Sequence, residues 1–510
     1  IGSGLVGSEM CIRDRNVIQN WSGTYGGDVT KYGKELSQKN QLLNGEYGAW
    51  RSIDLHTEPG EFEANGVWSE SRMCQLMETK IRLAEQAKDS VCGQFQWIFS
   101  SHDNPGRRQP DEAFRKIDKV GPFNYKGLVT PWEEPLDVYY MYRANYVPAA
   151  KDPMVYLVSH TWADRFEKGR RRATIEAYSN CDSVLLYNDM INDKVTYLGR
   201  KKNNGTGTHF MWENRDIRYN VLRAVGYHKG KPVAEDIIVL NGLEQAPHFD
   251  VLYQNTKPVL KGKDGYNYLY RINCGGDDYT DSFGQLWMQD NTHYSRLWAA
   301  NFKELNPYLA SQRTTNDPIR GSRDWKLFQH FRFGRHQLEY NFPVTDGTYR
   351  IELYFTEPWH GTGGSASTDC EGLRIFDVAV NDSVVLDDLD IWAESGHDGV
   401  CKKVVYATVK GGILKIHFPE VKAGQGLISG IAIASVDSNL QPTVFPASDW
   451  SWEKAGKEVM GKTPKELLPE DKNARVSVAY EAETATLKGK FRKKEHRKQT
   501  GVFFDKGKGN

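Results

Sequence analysis

The stretch QLLNGEYGAW, residues 41–50, places one carboxylate, Glu46, directly after a short apolar run. A short apolar run that ends in glycine predicts a β-strand, so we expect Glu46 near a strand end. Asn20 and Trp21 end the short apolar run VIQNW, and Trp97 lies near the end of the run VCGQFQWIF. These types suit a sugar, because they offer a charge for the anomeric carbon, hydrogen bonds for hydroxyl groups and rings that stack on apolar sugar faces.

An alternative is open for Glu46. GEYG could be an ordinary turn with a solvated glutamate, and the string alone does not exclude this. The ends of neighbouring strands in a βα barrel, however, face one common mouth. Three such ends that carry an amide, a carboxylate and an indole favour a binding or catalytic site over a turn.

Residues 16–146 carry the pattern that would position these side chains. Apolar strands alternate with helices, as in βα units. VIQNW, QLLNGEY and VCGQFQWIF are predicted strands, and VTKYGKELSQKN and SRMCQLMETKIRLAEQAKDS are predicted helices. A closed eight-stranded barrel needs roughly 250 residues, so this segment predicts the C-terminal part of a (β/α)8 TIM barrel.

The rest of the chain predicts β modules, so the expected fold is multidomain. Short β-rich runs between turn residues make 147–245 an immunoglobulin-type β-sandwich. Clean alternation in 265–437 predicts a second sandwich with one buried face per sheet. Residues 438–475 are rich in Pro, Lys, Glu and Ser and are interpreted as a linker, and 476–510 as the truncated start of a further β module.

Residues 1–15, IGSGLVGSEMCIRDR, do not continue into the pattern that follows. They resemble translated adapter sequence at the ends of metagenomic reading frames, and we interpret them as foreign. We therefore expect the natural protein to begin upstream, so that a signal peptide would not be visible here.

Composition excludes several classes of partner. Lys+Arg and Asp+Glu both total 66 in 510 residues, so bulk electrostatics favour neither nucleic acid nor an anionic membrane. Aromatic residues make up 12% of the chain, with 14 Trp, a mild indication of carbohydrate. The 7 Cys lack CxxC pairs, so neither a zinc site nor a redox motif is predicted. The sequence contains no run of 18 apolar residues, so no membrane-spanning helix is predicted.

The motifs of the first segment carry a family resemblance. In order they are NWSGTY, LLNGEYGAW, GQFQWIF and NYKGLVTPWEEPLDVYYMYRANY. They resemble the end of the catalytic barrel of glycoside hydrolase family 2, the family of β-galactosidases, β-glucuronidases and β-mannosidases. The resemblance implies a retaining hydrolase with Glu46 as nucleophile and Trp97 lining the sugar subsite. Asn20 and Tyr25 fall near the residues that position nucleophile and substrate.

Retention requires two carboxyl groups about 5–5.5 Å apart. The family's acid/base is a glutamate that follows an asparagine, and no such pair stands before Glu46. Glu58, Glu61 and Glu63 are interpreted as solvated loop charges. The resemblance therefore implies that the fragment by itself is inactive.

The identity of the sugar stays open between alternatives. Asn124 and Lys126 form an Asn-x-Lys string, which in β-glucuronidases of the family contacts the substrate carboxylate; a lysine facing a uronate is physically sensible. Similar strings also resemble those of relatives that act on neutral sugars. Our expectation is a β-galactosidase-like hydrolase, with uronate specificity or a non-catalytic carbohydrate-binding protein as alternatives.

The β modules carry resemblances of their own. The stretch from VYLVSH to LLYND resembles the immunoglobulin-like domain that follows the barrel in this family, without a site. YRINCGGDDYTDSFGQLW, TYRIELYFTEPW and LRIFDVAVND resemble a malectin domain, a carbohydrate-binding sandwich. The family binds sugars through aromatic residues in loops on one face, and the pair concerned aligns with Trp359 and His360, where histidine is a departure. The resemblance therefore implies a sugar-binding face with Trp359 as its main stacking residue, and a spacer that binds no ligand is the alternative. YEAE, residues 480–483, resembles the first strand of small carbohydrate-binding modules whose first acidic residues help to hold a structural Ca²⁺, so 476–510 is expected to be the truncated start of such a module.

The sequence as a whole predicts the C-terminal part of a multidomain family 2 β-glycosidase. Its expected partner is an oligosaccharide or polysaccharide. We expect no cofactor apart from the possible Ca²⁺, and an extracellular or periplasmic location.

Overall fold

The structure is a computed structural model. It describes residues 17–20, 22–23, 28–36, 42–48, 70–103, 123–124, 126–130, 134–166, 172–290, 312–334, 338–361, 369–440, 491–496 and 499–504. These residues form mostly β-strands with few helices. The chain divides into a large unit, Ile1–Pro105 with Val120–Phe445, and a small unit, Gly106–Lys119 with Pro446–Asn510.

The first elements alternate strands and helices. They are β1 (Val17–Asn20), α1 (Thr30–Leu36), β2 (Leu42–Gly48), α2 (Glu70–Gln86) and β3 (Val91–Trp97). The strands form a parallel sheet in the order β1-β2-β3. Both helices occur where the sequence predicts them. Among the described residues this sheet is open, because β1 and β3 pair only with β2.

The chain after β3 forms a small hairpin-like pair and one helix. These are β4 (His102–Asp103), β5 (Phe123–Asn124) and α3 (Asp137–Tyr146). The first residue of α3 connects three elements: the Asp137 backbone N–H donates to Glu70 of α2 at 2.8 Å, and its Oδ1 accepts from the hydroxyl of Tyr156 at 2.5 Å. These bonds fix α3 between α2 and the strands that follow.

Seven antiparallel strands form two sheets that we call the first sandwich. They are β6 (Val155–Val158), β7 (Arg172–Ser179), β8 (Ser183–Tyr187), β9 (Tyr197–Lys202), β10 (Phe210–Asp216), β11 (Val221–His228) and β12 (Lys231–Val239). The sheet orders are β10-β7-β6 and β12-β11-β8-β9. Alternate residues of both sheets meet in one core, where Ile175, Leu186 and Trp212 are fully buried.

Fourteen further strands and two short helices form what we call the second sandwich. The strands are β13 (Asn267–Asn273), β14 (Tyr279–Thr280), β15 (Leu286–Gln289), β16 (Gln312–Thr314), β17 (His330–Gly334), β18 (Glu339–Pro343), β19 (Gly347–Phe355), β20 (Ile375–Val380), β21 (Ser383–Leu389), β22 (Cys401–Val409), β23 (Ile413–His417), β24 (Val421–Ala423), β25 (Gly426–Ile428) and β26 (Gly430–Ser435). The helices are α4 (Trp325–Gln329) and α5 (Ile391–Ser395). The largest sheets are β14-β15-β13-β26-β19-β22 and β18-β23-β20-β21.

A separate apolar cluster joins the two sandwiches. Val221 of β11, Trp325 of α4 and Tyr354 of β19 are buried in it. The connection between the sandwiches contributes Phe249, from the 3₁₀ helix Phe249–Tyr253, whose ring centroid lies 5.6 Å from that of Trp325. This connection is therefore anchored by aromatic residues.

The described part of the small unit is one antiparallel hairpin, β27 (Phe491–His496) with β28 (Gln499–Phe504). The YEAE string at 480–483 lies outside the described residues. None of the helices in the described ranges is both long and apolar enough to cross a membrane.

Candidate functional site

A bulge in β2 determines which face of the parallel sheet Glu46 occupies. The pairing with β3 shifts register between Asn44 and Tyr47. Both of these residues contact helices: Asn44 Nδ2 donates to the Tyr32 hydroxyl at 2.7 Å, and the Tyr47 hydroxyl lies 2.8 Å from that of Tyr142. Successive side chains of a strand point to opposite faces, so Glu46 projects from the face opposite the helices that the structure describes here. Its side chain is half-buried there.

Trp97 lies on the same face of the sheet. Gln94 and Gln96 of β3 point to the helices, because they accept hydrogen bonds from the hydroxyls of Tyr32 at 2.5 Å and Tyr142 at 3.0 Å. Phe95 and Trp97 therefore project from the other face, and Phe95 is 61% exposed. In the register of the strands Trp97 pairs with Gly48, two residues beyond Glu46. The carboxylate and the indole thus share one face at the carboxyl ends of neighbouring parallel strands.

The segment that contains Lys126 runs alongside the chain that leaves β3. The Ile98 N–H donates to the Lys126 carbonyl at 3.4 Å, and the Leu128 N–H donates to the Phe99 carbonyl at 2.7 Å. Lys126 is 3% exposed. The backbone therefore places Lys126 beside the residue that follows Trp97, which brings together two of the residues singled out from the sequence.

Several predicted site residues lie partly or wholly outside the described part of the chain. Asn20 ends β1 and pairs with Tyr47, and Asn124 in β5 pairs with His102, but the side chains of both asparagines are not described. Tyr25, Trp21 and the glutamates at 58, 61 and 63 lie outside the described residues. Their roles stay predictions from the sequence.

The predicted sugar-stacking residue of the second sandwich, Trp359, is packed against protein. Its ring meets that of Phe331 edge to face with 5.0 Å between centroids, and the Arg374 guanidinium lies 5.6 Å from its centre. The Glu357 carboxylate fixes this region: it accepts the backbone N–H groups of Trp359 and His360 at 3.1 Å each, and Arg374 Nε donates to it at 2.5 Å.

His360 is buried and neutral. It is 1% exposed, and its Nε2 has no hydrogen-bond partner among the described residues. Burial lowers its pKa to about 4, against the opposing effect of Glu357. Burial raises the pKa of Glu357, but Arg374 and His360 outweigh it and hold that pKa near 2. His360 therefore presents a neutral imidazole whose Nε2 is buried.

That ring lines a cavity of about 220 Å³ between α3 and loops of the second sandwich. Its polar lining includes Arg143, His360 and Asp369, and its rings include Tyr139 and Tyr140. Arg143 is held by Asp152, at 2.5 Å from Nη2 to Oδ2. Such a mixture of rings and convergent polar groups is typical of small-molecule sites.

Sequence reasoning missed the residues that α3 contributes to this cavity. Tyr139 and Arg143 are four residues apart, so one face of the helix presents both. This four-residue spacing is the only feature of the local sequence that indicates a shared helix face for the two side chains. The approach of His360 and Asp369 from more than 200 positions away has no signal in the local pattern.

Comparison with known proteins identifies part of the chain. Residues 268–438 match the malectin domain family, and residues 171–234 match a domain of unknown function, DUF4982. A putative beta-glucuronidase of Formosa agariphila is 27% identical over 252 residues, which cover 43% of this chain and 28% of that protein. Malectin of Danio rerio is 26% identical over 150 residues, covering 29% and 47% of the respective chains.

A solved structure completes the comparison. The crystal structure of Bacteroides uniformis beta-glucuronidase aligns at 22% identity and a TM-score of 0.35, over 84% of this chain and 46% of that one. The chain spans less than half of the length of each of these relatives. It therefore contains a malectin domain and has glycoside hydrolase-like relatives, and the second sandwich is the malectin domain.

Proposed function

We propose that this chain supplies the nucleophile side of a retaining β-glycosidase, with Glu46 as the nucleophile. The observation that carries the proposal is the common face of Glu46 and Trp97 at the carboxyl ends of β2 and β3. In the proposed reaction the carboxylate attacks the anomeric carbon as the glycosidic C–O bond breaks, the leaving oxygen takes a proton from the acid/base carboxyl, and water then hydrolyses the glycosyl ester. The indole stacks on the sugar bound beside the carboxylate. Asn20 and Tyr25 position nucleophile and substrate in this proposal.

The proposed fold context follows from the same elements. Parallel strands with crossover helices support the C-terminal part of a (β/α)8 barrel for residues 16–146, whose strand ends would form the mouth. Two antiparallel sheets of three and four strands support an immunoglobulin-like type for the first sandwich. We place the protein outside the cell or in the periplasm, where polysaccharides are met.

The proposed substrate is a β-glucuronide. Lys126 runs beside the end of β3, and its ammonium group, with Asn124, would recognise the uronate carboxylate. The relative from Formosa agariphila, named a putative beta-glucuronidase, supports this choice over the β-galactoside that we expected from the sequence. A retaining mechanism also needs an acid/base carboxyl about 5–5.5 Å from Glu46. Since no Asn-Glu pair precedes Glu46, we propose that the chain alone does not turn over.

The test uses the chain extended by its upstream coding sequence. We expect hydrolysis of p-nitrophenyl β-D-glucuronide above that of the β-galactoside and the β-mannoside. Glu46→Gln should lower kcat by at least about 10³-fold, because the attacking oxygen is lost. Glu213→Gln, an exposed glutamate on β10, is the matched control and should retain full activity. A Glu46→Gln variant that turns over normally would disprove the assignment.

Carbohydrate binding without hydrolysis is the second candidate, and the malectin domain favours it. We infer that the cavity beside His360 accepts a sugar unit, with Arg143 and Asp369 as hydrogen-bonding groups. Titration of the wild-type chain and of the Arg143→Ala variant with oligosaccharides tests this. Binding that depends on Arg143, together with an extended protein that hydrolyses no glycoside, would establish the second candidate in place of the first.

A further inference from the structure

Five buried or partly buried ionisable side chains meet where the first sandwich contacts the malectin domain. His160 lies between two carboxylates, with Nδ1 2.6 Å from Asp317 Oδ1 and Nε2 2.9 Å from Asp236 Oδ2. His397 Nε2 lies 2.8 Å from Asp398 Oδ2 and 3.7 Å from Asp317 Oδ2. Asp317 and Asp398 are 4% and 5% exposed. The proposed glycosidase mechanism uses none of these groups.

We propose that Asp317, His397 and Asp398 bind a Zn²⁺ ion. One donor atom from each lies within 4.8 Å of the other two. Zinc bonds of about 2.0–2.2 Å to nitrogen and oxygen set the ligand atoms of a tetrahedral ion roughly 3.3–3.5 Å apart. The 3.7 Å between His397 Nε2 and Asp317 Oδ2 is close to that spacing, whereas the 2.8 Å between His397 Nε2 and Asp398 Oδ2 is a direct hydrogen bond that would have to widen by about 0.5 Å around the ion. Three protein ligands leave the fourth position to water.

The second observation is an oxygen that has no partner. Asp398 Oδ1 is buried and accepts no hydrogen bond from any described residue, although a buried carboxylate oxygen requires one or a cation. It belongs to one of the three proposed ligands, and its side chain is 6% exposed. A cation bound to this carboxylate supplies the missing interaction.

The composition of the cluster suits a cation as well. Three carboxylates and two imidazoles converge in it, and both types of side chain are zinc ligands. Zinc binding would displace the proton on His397 Nε2, and that proton would pass to solvent. Arg320 donates to the backbone carbonyls of His397 at 2.6 Å and Ser395 at 3.0 Å.

Neighbouring groups orient the proposed ligands. The His160 Nδ1–H bond holds Oδ1 of Asp317, which leaves Oδ2 directed to His397. Arg320 fixes the loop that carries His397 through the carbonyl bonds above. Such outer contacts determine how ligands present their donor atoms. His160 is a positioning residue in this arrangement.

The ligand types favour zinc over calcium. Imidazole with carboxylates suits Zn²⁺, whereas Ca²⁺ takes six to eight oxygens. A second trio, Asp377, Asp387 and Asp388, offers only carboxylates, two of them exposed, and Lys422 pairs with Asp388. This trio provides the matched control.

The experiment is zinc titration of the tag-free chain after EDTA dialysis, by calorimetry and elemental analysis. We expect the wild type and Asp387→Asn to retain one zinc per chain, and Asp398→Asn to bind at least tenfold more weakly. Circular dichroism melts in EDTA establish that each variant is folded. Equal zinc affinity in the wild type and a folded Asp398→Asn would overturn the proposal, as would retention of Ca²⁺ but not Zn²⁺.

X-ray absorption at the zinc edge of the wild type keeps the test independent of variants. A first shell of only nitrogen and oxygen at about 2.0–2.1 Å is expected. Sulfur at about 2.3 Å would place the ion on cysteines and overturn the assignment.

Discussion

The hydroxyl of Tyr47 on β2 lies 2.8 Å from the hydroxyl of Tyr142 on α3, and Tyr142 in turn donates to Gln96 of β3 at 3.0 Å. This chain of bonds ties two strands to one helix. It also holds Tyr47 toward the helices, and for that reason the adjacent Glu46 must face the other way.

Tyr142→Phe removes both of these hydrogen bonds but keeps the ring. We expect the free energy of unfolding to fall by about 1–2 kcal/mol, since the buried hydroxyl of Tyr47 and the partly buried amide of Gln96 each lose a partner. Urea denaturation followed by circular dichroism measures this. Tyr197→Phe, at a 40% exposed tyrosine on β9, should leave the midpoint in place. Equal midpoints for all three proteins would contradict the bonded role of Tyr142.

Lys126→Gln should change substrate preference in the extended protein. A hydrogen bond to a charged group contributes about 1.5–3 kcal/mol, so kcat/KM for the β-glucuronide should fall roughly 10- to 100-fold. The values for neutral β-glycosides should fall much less. Parallel kinetics on the two substrate types separate recognition from misfolding, because a folding defect lowers both equally. Equal losses would refute the role of Lys126.

Gly127→Ala should disrupt the segment that carries Lys126. A Cβ at this position would lie 2.2 Å from the Ser101 nitrogen and 2.3 Å from the Val129 oxygen, both backbone atoms that cannot move independently. We expect a lower melting temperature and loss of β-glucuronide binding. Gly93→Ala in β3 meets only a Leu43 methyl at 3.4 Å and is the control. A Gly127→Ala variant as stable as Gly93→Ala would contradict the packing described.

Glu357→Gln should strongly destabilise the malectin domain. Arg374 is fully buried, and Glu357 is its closest carboxylate; Glu134 lies farther away, at 3.6 Å. Removing one partner of a buried ion pair typically costs about 3–5 kcal/mol, because the remaining charge is left in the interior. Glu394→Gln breaks the more exposed ion pair with Lys403 and should change the free energy of unfolding little. Chemical denaturation of both variants provides the comparison, and similar small losses would show that the buried pair is dispensable.

His209 should make stability depend on pH. Its Nδ1 lies 2.7 Å from Glu78 of α2, and its Nε2 lies 3.8 Å from Glu176 of β7. Burial lowers the pKa of His209, but the two glutamates outweigh it and raise this pKa from 6.5 to about 10. Protonated His209 therefore stabilises the folded state. Its contribution to the free energy of unfolding is complete below pH 6.5 and is lost as the pH rises through about 10.

Melting temperatures measured between pH 6 and pH 10 test this. His209→Gln should flatten their decline. His248→Gln, at a side chain 45% exposed, is the control and should keep the slope of the wild type. Identical slopes for all three proteins would mean that His209 carries no linked charge.

The elements with regular periodicity could be predicted from the sequence. Helix α2 and the strands β2 and β3 lie where the apolar pattern indicates, because each buries one face along a contiguous stretch. The malectin domain was predicted from its motifs, and the family match agrees. The proposed sugar changed from galactoside to glucuronide only because of the relatives.

The contacts between distant segments could not be predicted. His160 meets Asp317 across 157 positions, and no local pattern connects them. Trp359 was expected to face ligand, yet its ring packs on Phe331, because alternation in a short loop does not reveal which neighbour will cover it. Whether Trp359 and His360 take part in sugar binding stays a prediction.

The aromatic anchor between the sandwiches, formed by Phe249 and Trp325, has a mechanical consequence. A domain attached by a flexible linker samples many distances from its neighbour, whereas a domain whose interface buries aromatic rings stays at one distance. These buried rings hold the malectin domain at one distance from the first sandwich, so a polymer bound by both would have to match a fixed separation.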